Sequence, residues 1–199
     1  RSRILSPHQA LADQEAIDGA GRGYETVFGV IMGTGVGGSI IHQGKLIPGR
    51  LHIAGEWGHN QLETDGPRCY CGRRGCVETF LSGPGLAADY VRRGGSSGAT
   101  AEDTIHLATG GGEFAEQSVQ AFLKRFGRAL ATVINILDPH AIVLGGGLSK
   151  FERLYSEGCE QVAQHVFWDP FDTPILKNKN GDSAGVRGAA QLWPSAEAP

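Results

Sequence analysis

The chain has 199 residues, 40% of them apolar, with 18 Lys and Arg against 21 Asp and Glu for a formal charge of −3. That is enough to bury one sizeable core, and the balance lacks the basic excess that marks nucleic acid as a partner. No apolar run approaches the ~18 residues of a membrane span and no signal peptide opens the chain, so a soluble, cytoplasmic protein without a membrane partner is expected.

In chain order, Arg1 to Leu11 carries no periodic pattern, and Ser6-Pro7 argues against a helix running through it. Ala12–Ala20 reads as a short helix ended by Gly19, Gly21 and Gly23. Thr26–Met32, TVFGVIM, is a β-branched apolar run of strand length, expected to be buried on both faces. After a glycine-rich connection, SIIHQGKLI reads as a second strand, a turn at Gln43-Gly44 and the start of a third. Beyond Glu78 the chain turns helical. SGPGLAADYVRR forms one helix, Thr100–Ala108 a second with Thr100 and Asp103 as its cap, and Glu113–Asp138 the longest, stopped by Asp138-Pro139. In that last helix Phe114, Val119, Phe122, Leu123, Phe126, Leu130, Val133, Ile134 and Leu137 recur at three- and four-residue steps, giving a broad apolar face that suggests a homodimer, with packing wholly inside its own lobe as the alternative. AIVLGGG is then a buried strand, followed by a helix from about Lys150 to Phe167, a short strand at 173–176 and a closing helix Ala184–Leu192. Alternating helix and strand in the second half marks a layered α/β domain.

The chemistry is concentrated in GEWGHNQLETDGPRCYCGRRGCVE, residues 55–78. It holds His59, Cys69, Cys71 and Cys76, a complete tetrahedral zinc set with no position left for water, hence a structural rather than a hydrolytic site. Gly72 and Gly75 fill the gaps and let the backbone turn tightly round an ion; a cross-linked surface turn or disulfides are the alternative. The fourth cysteine, Cys159, falls on a predicted helix and suits a core. Two carboxylates, Glu56 and Glu78, flank the ligands, and closing the metal site would bring both toward one place, with solvated loop charges as the alternative.

Two glycine loops follow hydrophobic strands. Gly33-Thr34-Gly35-Val36-Gly37-Gly38 is neither a Walker loop nor a dinucleotide fingerprint, because the spacing of the first is missing and a strand, not a helix, follows. Its amides suit an anion, with a plain hairpin turn as the alternative. Gly145-Gly146-Gly147 stands at the carboxyl end of a strand and before a helix, where α/β proteins bind ligands. Together the loops point to a nucleotide.

Cys69-x-Cys71-Gly72-x-x-Gly75-Cys76-x-Glu78, preceded by Glu56-x-Gly58-His59, resembles the zinc motif of the ROK family of bacterial sugar kinases and sugar-responsive repressors. GTGVGG, GEWGHN, NILDPHAIVLGGGLS and GDSAGVRGAAQLW fall in the family's order, from about Glu15 to Trp193. Within the family the chain looks most similar to fructokinases of the manno(fructo)kinase type and next to N-acetylglucosamine kinases. The resemblance implies an α/β, actin-like, ribonuclease-H-like lobe with a structural zinc loop, spanning residues 15–193, with an irregular or non-native segment 1–14 and a tail 194–199. It implies ATP-dependent phosphorylation of a hexose, most simply fructose at O6. Alternatives are an N-acetylglucosamine or glucose kinase or a sugar-binding regulator that does no catalysis. His59, Cys69, Cys71 and Cys76 would hold zinc, and Glu56, His59, Asn60 and Glu78 would face the sugar. Gly33, Thr34 and Gly35 would meet the ATP phosphates with Mg²⁺, and Gly145, Gly146 and Gly147 the adenosine.

There are departures. An Asp-x-Gly-Gly-Thr phosphate loop is not found ahead of Arg1, and Leu51-His52 replaces the family's Asn-Gly. At the family's spacing its catalytic aspartate falls on Pro7, which cannot take a proton. The expectation is therefore an incomplete kinase, a large lobe with little turnover alone.

Overall fold

The computed structural model describes residues 19–168 and 170–179. The expected helices Ala12–Ala20 and Ala184–Leu192 lie outside them, apart from Gly19 and Ala20, which belong to a turn region before the first strand; Pro7 and the 194–199 tail also lie outside.

Strand β1, Thr26–Met32, is buried at every position but Ile31. It pairs antiparallel with β2, Val36–His42, which pairs in turn with β3, Lys45–Ile47. The β2–β3 turn is Gln43-Gly44, both at positive φ (50° and 69°), the geometry whose twist matches a two-residue hairpin. β4, Ala141–Gly145, adds parallel to β1 on its other side, and β5, Ile175–Lys177, adds parallel to β4. The sheet order among the described residues is β3-β2-β1-β4-β5. Because Ile31 lies opposite Gly145, both glycine loops leave the same end of two neighbouring strands.

The helices are α1 (Glu78–Leu81), α2 (Gly83–Arg92), α3 (Ala101–Thr109), α4 (Glu113–Leu137) and α5 (Glu157–Ala163). The Thr100–Asp103 capping box of α3 is formed in both directions. Asp138 ends α4 in the left-handed conformation, φ 48°. Val119, Phe122, Leu123, Phe126, Leu130 and Ile134 of α4 share one core with Phe28, Val30 and Met32 of β1 and with Ile142 and Leu144 of β4. Each such side chain stabilises the fold by about 1.5–3 kcal/mol on burial. Most of the apolar face of α4 is thus covered within the chain; Val133 and Leu137 are half-buried against the same core and Phe114 is exposed. No helix among the described residues is long and apolar enough to cross a membrane.

Two expectations need correction. The helix over 150–167 is three pieces: 3-10 turns at Gly147–Lys150 and Glu152–Leu154, then the seven residues of α5. Phe151 takes an extended backbone (φ −78°, ψ 103°) that points its ring into the core, and this breaks the helix. The last described strand begins at Ile175, because Pro174 has no N–H to give the ladder and contributes only its carbonyl, accepting from the amide of Ile142.

Candidate functional site

The segment before the cysteines lies directly on β2. Trp57, buried, donates from Nε1 to the Gly37 carbonyl at 3.0 Å and packs edge-on to Phe28. Gly58 sits so close to the Val36 carbonyl that any side chain there would collide with the strand. A one-turn 3-10 helix, Trp57–His59, then delivers His59 above the strand. The cysteine loop is closed by its own backbone. The Cys69 amide donates to Arg73, Gly72 to Cys69, and Leu62 to Gly75, at 2.7–3.1 Å, and the Val77 amide returns to the Asn60 carbonyl at 2.9 Å.

This folding brings one nitrogen of His59 and the sulfurs of Cys69, Cys71 and Cys76 within 4.8 Å of one another, a group that could hold a metal ion. His59 Nδ1 is 3.6 Å from Cys69 Sγ, and Cys71 Sγ is 3.7 Å from Cys76 Sγ. Zinc–sulfur bonds of about 2.3 Å and zinc–nitrogen bonds of about 2.0–2.1 Å at the tetrahedral angle require separations of about 3.6 Å (S···N) and 3.8 Å (S···S). A disulfide would require about 2.05 Å, and all four cysteines are free. Those two separations match a tetrahedral cation, and the four donors together could hold one. Cys71 and Cys76 face each other unequally: the backbone amide of Arg73 lowers the Cys71 thiol, while burial pushes Cys76 up.

With Nδ1 turned to Cys69, the second nitrogen of His59, Nε2, is left for another partner. Glu78, the first residue of α1, accepts a hydrogen bond from the Val36 amide at 2.9 Å through Oε2. A Cβ at Gly35 would stand 2.7 Å from that same oxygen, so glycine is what lets the carboxylate sit against the hairpin turn. The phenol of Tyr70 lies 2.9 Å from His59 Nε2, and the charges of Glu78 first and of Glu56 as a smaller contribution raise its pKa. The phenol hydrogen-bonded to His59 thus feels the charges of both carboxylates. Asn60 is exposed next to His59 and is tied in through its carbonyl.

The two glycine loops meet. Gly33, Thr34 and Gly35 form the tip of the β1–β2 hairpin, closed by the Gly33 amide donating to Gly35 at 3.0 Å. The Gly33 carbonyl accepts from Gly83 at 2.7 Å, at the start of α2. A Cβ on Gly33 would lie 4.0 Å from the Gly147 amide, and Gly146, at φ 80°, packs on the Met32 carbonyl. Gly145 is the last residue of β4. All six glycine-loop positions named from sequence therefore converge at one end of the sheet, with Glu78 on their flank.

Arg125 of α4 holds this assembly from behind. Its Nε donates to Glu63 of the cysteine loop at 2.8 Å and its Nη1 to Asp89 of α2 at 3.1 Å, and the guanidinium lies 4.4 Å from the centroid of Phe80 in α1. Burial alone would raise Asp89, but hydrogen bonds from Arg93 and Arg125 hold it below the usual carboxylate range. Arg125 and Tyr70 were not legible as site residues. The first is remote in sequence, although the second lies between two ligands and could have been found by position.

A model of the ROK family matches residues 3–196. The chain is 38% identical over 200 residues to the N-acetyl-D-glucosamine kinase of Yersinia pseudotuberculosis serotype O:3 (strain YPIII), and 38% identical over 192 residues to that of Photobacterium profundum. The alignments cover 96% and 92% of the chain but only 66% and 63% of those proteins. Among solved structures it is similar to a ROK glucokinase from Streptomyces griseus in complex with glucose and AMPPNP (29% identity, TM-score 0.87, 95% of this chain and 67% of that one). It is also similar to a ROK hexokinase from Thermus thermophilus (29% identity, TM-score 0.83, 94% and 62%). These relatives do not support the fructokinase-type assignment; N-acetylglucosamine kinase, the alternative read from the same motifs, agrees with them better. On the family match, which takes in the cysteine motif and both glycine loops, the chain belongs to the ROK family.

Proposed function

We propose that the chain is the hexose- and phosphate-facing lobe of an ATP-dependent sugar kinase, and that its sugar is N-acetylglucosamine. The kinase reading is carried by the placement of Glu78, and the choice of sugar by the similarity to N-acetyl-D-glucosamine kinases. Its carboxylate acts on the phenol that is hydrogen-bonded to His59 and also accepts from the Val36 amide at the foot of the Gly33–Gly35 turn. An acceptor hydroxyl bound by Glu78 and His59 would therefore lie beside a phosphate cradled by the turn, the proximity that phosphoryl transfer demands. Carboxylates and an imidazole suit a ring of hydroxyls, because each exchanges hydrogen bonds and leaves a wrong partner unsatisfied. His59 bound to a cation through Nδ1 carries its proton on Nε2 and is fixed as a donor toward the sugar.

In this reading His59, Cys69, Cys71 and Cys76 hold a structural zinc, whose role is to fix the loop that presents His59. Gly145, Gly146 and Gly147 border the adenosine side, and Mg²⁺ arriving with ATP supplies charge neutralisation at the phosphates. These residues bind and orient. A base for the attacking hydroxyl is a separate requirement, and the resemblance places Pro7 at that position, so slow or no turnover by this chain alone belongs to the same proposal.

The test is calorimetric titration of the zinc-loaded chain with N-acetylglucosamine, glucose and fructose. N-acetylglucosamine is expected to bind most tightly. Fructose binding at least as tightly would return the substrate to the first expectation. No heat from any hexose at about 10 mM, where binding stronger than ~3 kcal/mol would register, would remove the sugar site altogether.

A further inference from the structure

Tyr70 is the exposed large hydrophobic side chain of the cysteine loop, 83% accessible, yet it is not idle. Its ring stands edge-on to His59, with centroids 5.1 Å apart and an interplanar angle of 85°. Its hydroxyl is 2.9 Å from His59 Nε2. That nitrogen is the one turned away from the cysteines, since Nδ1 faces Cys69 Sγ. A hydroxyl from the protein itself is thus placed on one of the groups assigned above to sugar hydroxyls.

We propose that Tyr70 is a built-in competitor for the sugar: its phenol takes the hydrogen bond of His59 Nε2 in the empty site and swings out when a hexose hydroxyl takes that place. The inference rests on the reading of Glu56, His59 and Glu78 as the hexose site. Little opposes the swing, because a side chain this exposed gives up one hydrogen bond and one edge contact and regains water. The swing nevertheless lowers the affinity for sugar. A site that must first open binds more weakly in proportion to the fraction closed, and one exposed hydrogen bond sets that factor at about two- to fivefold. His59 is not left unpartnered at any stage. Its N–H passes from a phenol oxygen to a sugar oxygen, so the exchange conserves hydrogen bonds.

Tyr70→Phe separates this from the other roles the residue could have. It keeps the ring and its edge contact and removes only the competing oxygen. The expected result is N-acetylglucosamine binding tightened about two- to fivefold, with zinc content and affinity for a non-hydrolysable ATP analogue unchanged. In the unsubstituted chain, the ring NMR signals of Tyr70, assigned by their loss in the variant, should move on saturation with hexose and not with nucleotide. Unchanged hexose affinity in the variant would overturn the proposal, and so would weakened affinity, which would make the phenol a sugar contact instead. In both cases the hexose site itself would stand. Failure of the unsubstituted chain to bind any hexose is the distinct outcome that removes the site and the competitor together.

Discussion

Replacing Arg125 by methionine keeps an aliphatic stem of similar length and deletes the guanidinium that ties the cysteine loop to α1 and α2. The cost can be worked from the contacts. Asp89, whose side chain is 9% exposed, retains Arg93 at 2.6 Å and Arg92 at 3.0 Å, so no orphaned buried charge results and the larger penalty for one does not apply. The pair with Glu63, whose side chain is 31% exposed, contributes about 0.5–1 kcal/mol. The more buried contact with Asp89 adds about 1 kcal/mol. The cation over Phe80 adds about 0.5–1 kcal/mol. Together these give about 2–3 kcal/mol, or a Tm lowered by roughly 5–10 °C in a domain of this size. Because Glu63 also bonds the Gly75 and Gly66 backbone, the loop should loosen locally as well as globally. The assay is thermal unfolding together with the rate of zinc transfer to a chromogenic chelator. Arg153→Met, which breaks the remote pairs with Glu116 and Glu157, serves as a control that lowers stability without touching the loop. If Arg125→Met stays within about 0.5 kcal/mol of the parent and releases zinc no faster than the control, the bracing role is wrong.

Gly35→Ala should act on binding rather than on folding. The added methyl meets the mobile end of Glu78 at 2.7 Å, so the carboxylate shifts at small structural cost, and hexose affinity is expected to fall about tenfold while Tm changes by only a few degrees. Equal affinity would mean that Glu78 does not touch the sugar. Glu116, brought down to about 2 by the bidentate hydrogen bonds of Arg153, has a folded pKa below its ordinary value. Its contribution is therefore present above about pH 4.5 and is lost as the pH falls toward 2. Its side chain is 39% exposed, so the screened contribution is about 1 kcal/mol. Chemical denaturation of the chelated protein between pH 5 and 3 should show Glu116→Gln losing less stability than the parent, and parallel losses would rule out the linkage.

Local rules carried far in this chain. Thr26–Met32 is a strand at the expected residues because a β-branched apolar run bounded by glycines has few other solutions. The box at Thr100 and Asp103 and the apolar period of α4 were equally readable, as was the four-ligand cluster, since a metal set is defined by short spacings between rare residues. What escaped was tertiary. The bond between Glu78 and the Val36 amide spans 42 positions and involves a backbone group that no side-chain pattern reveals. Arg125 reads as one more charge on an amphipathic helix until Glu63, Asp89 and Phe80 are seen around it. The helix over 150–167 was overextended because periodicity cannot register that Phe151 gains more by turning inward than by continuing the turn.

The most direct test of the shared hexose and phosphate site is the affinity of the zinc-loaded chain for N-acetylglucosamine before and after Glu78→Gln. Glutamine can still accept from the Val36 amide, so the hairpin contact and the fold should survive while the charge proposed to face the sugar is lost. The account predicts measurable binding by the parent and a loss of about tenfold or more in the variant, with unchanged zinc content and circular dichroism. Binding of equal strength in both proteins would contradict it, because the residue that joins the two halves of the site would then contribute nothing to the sugar.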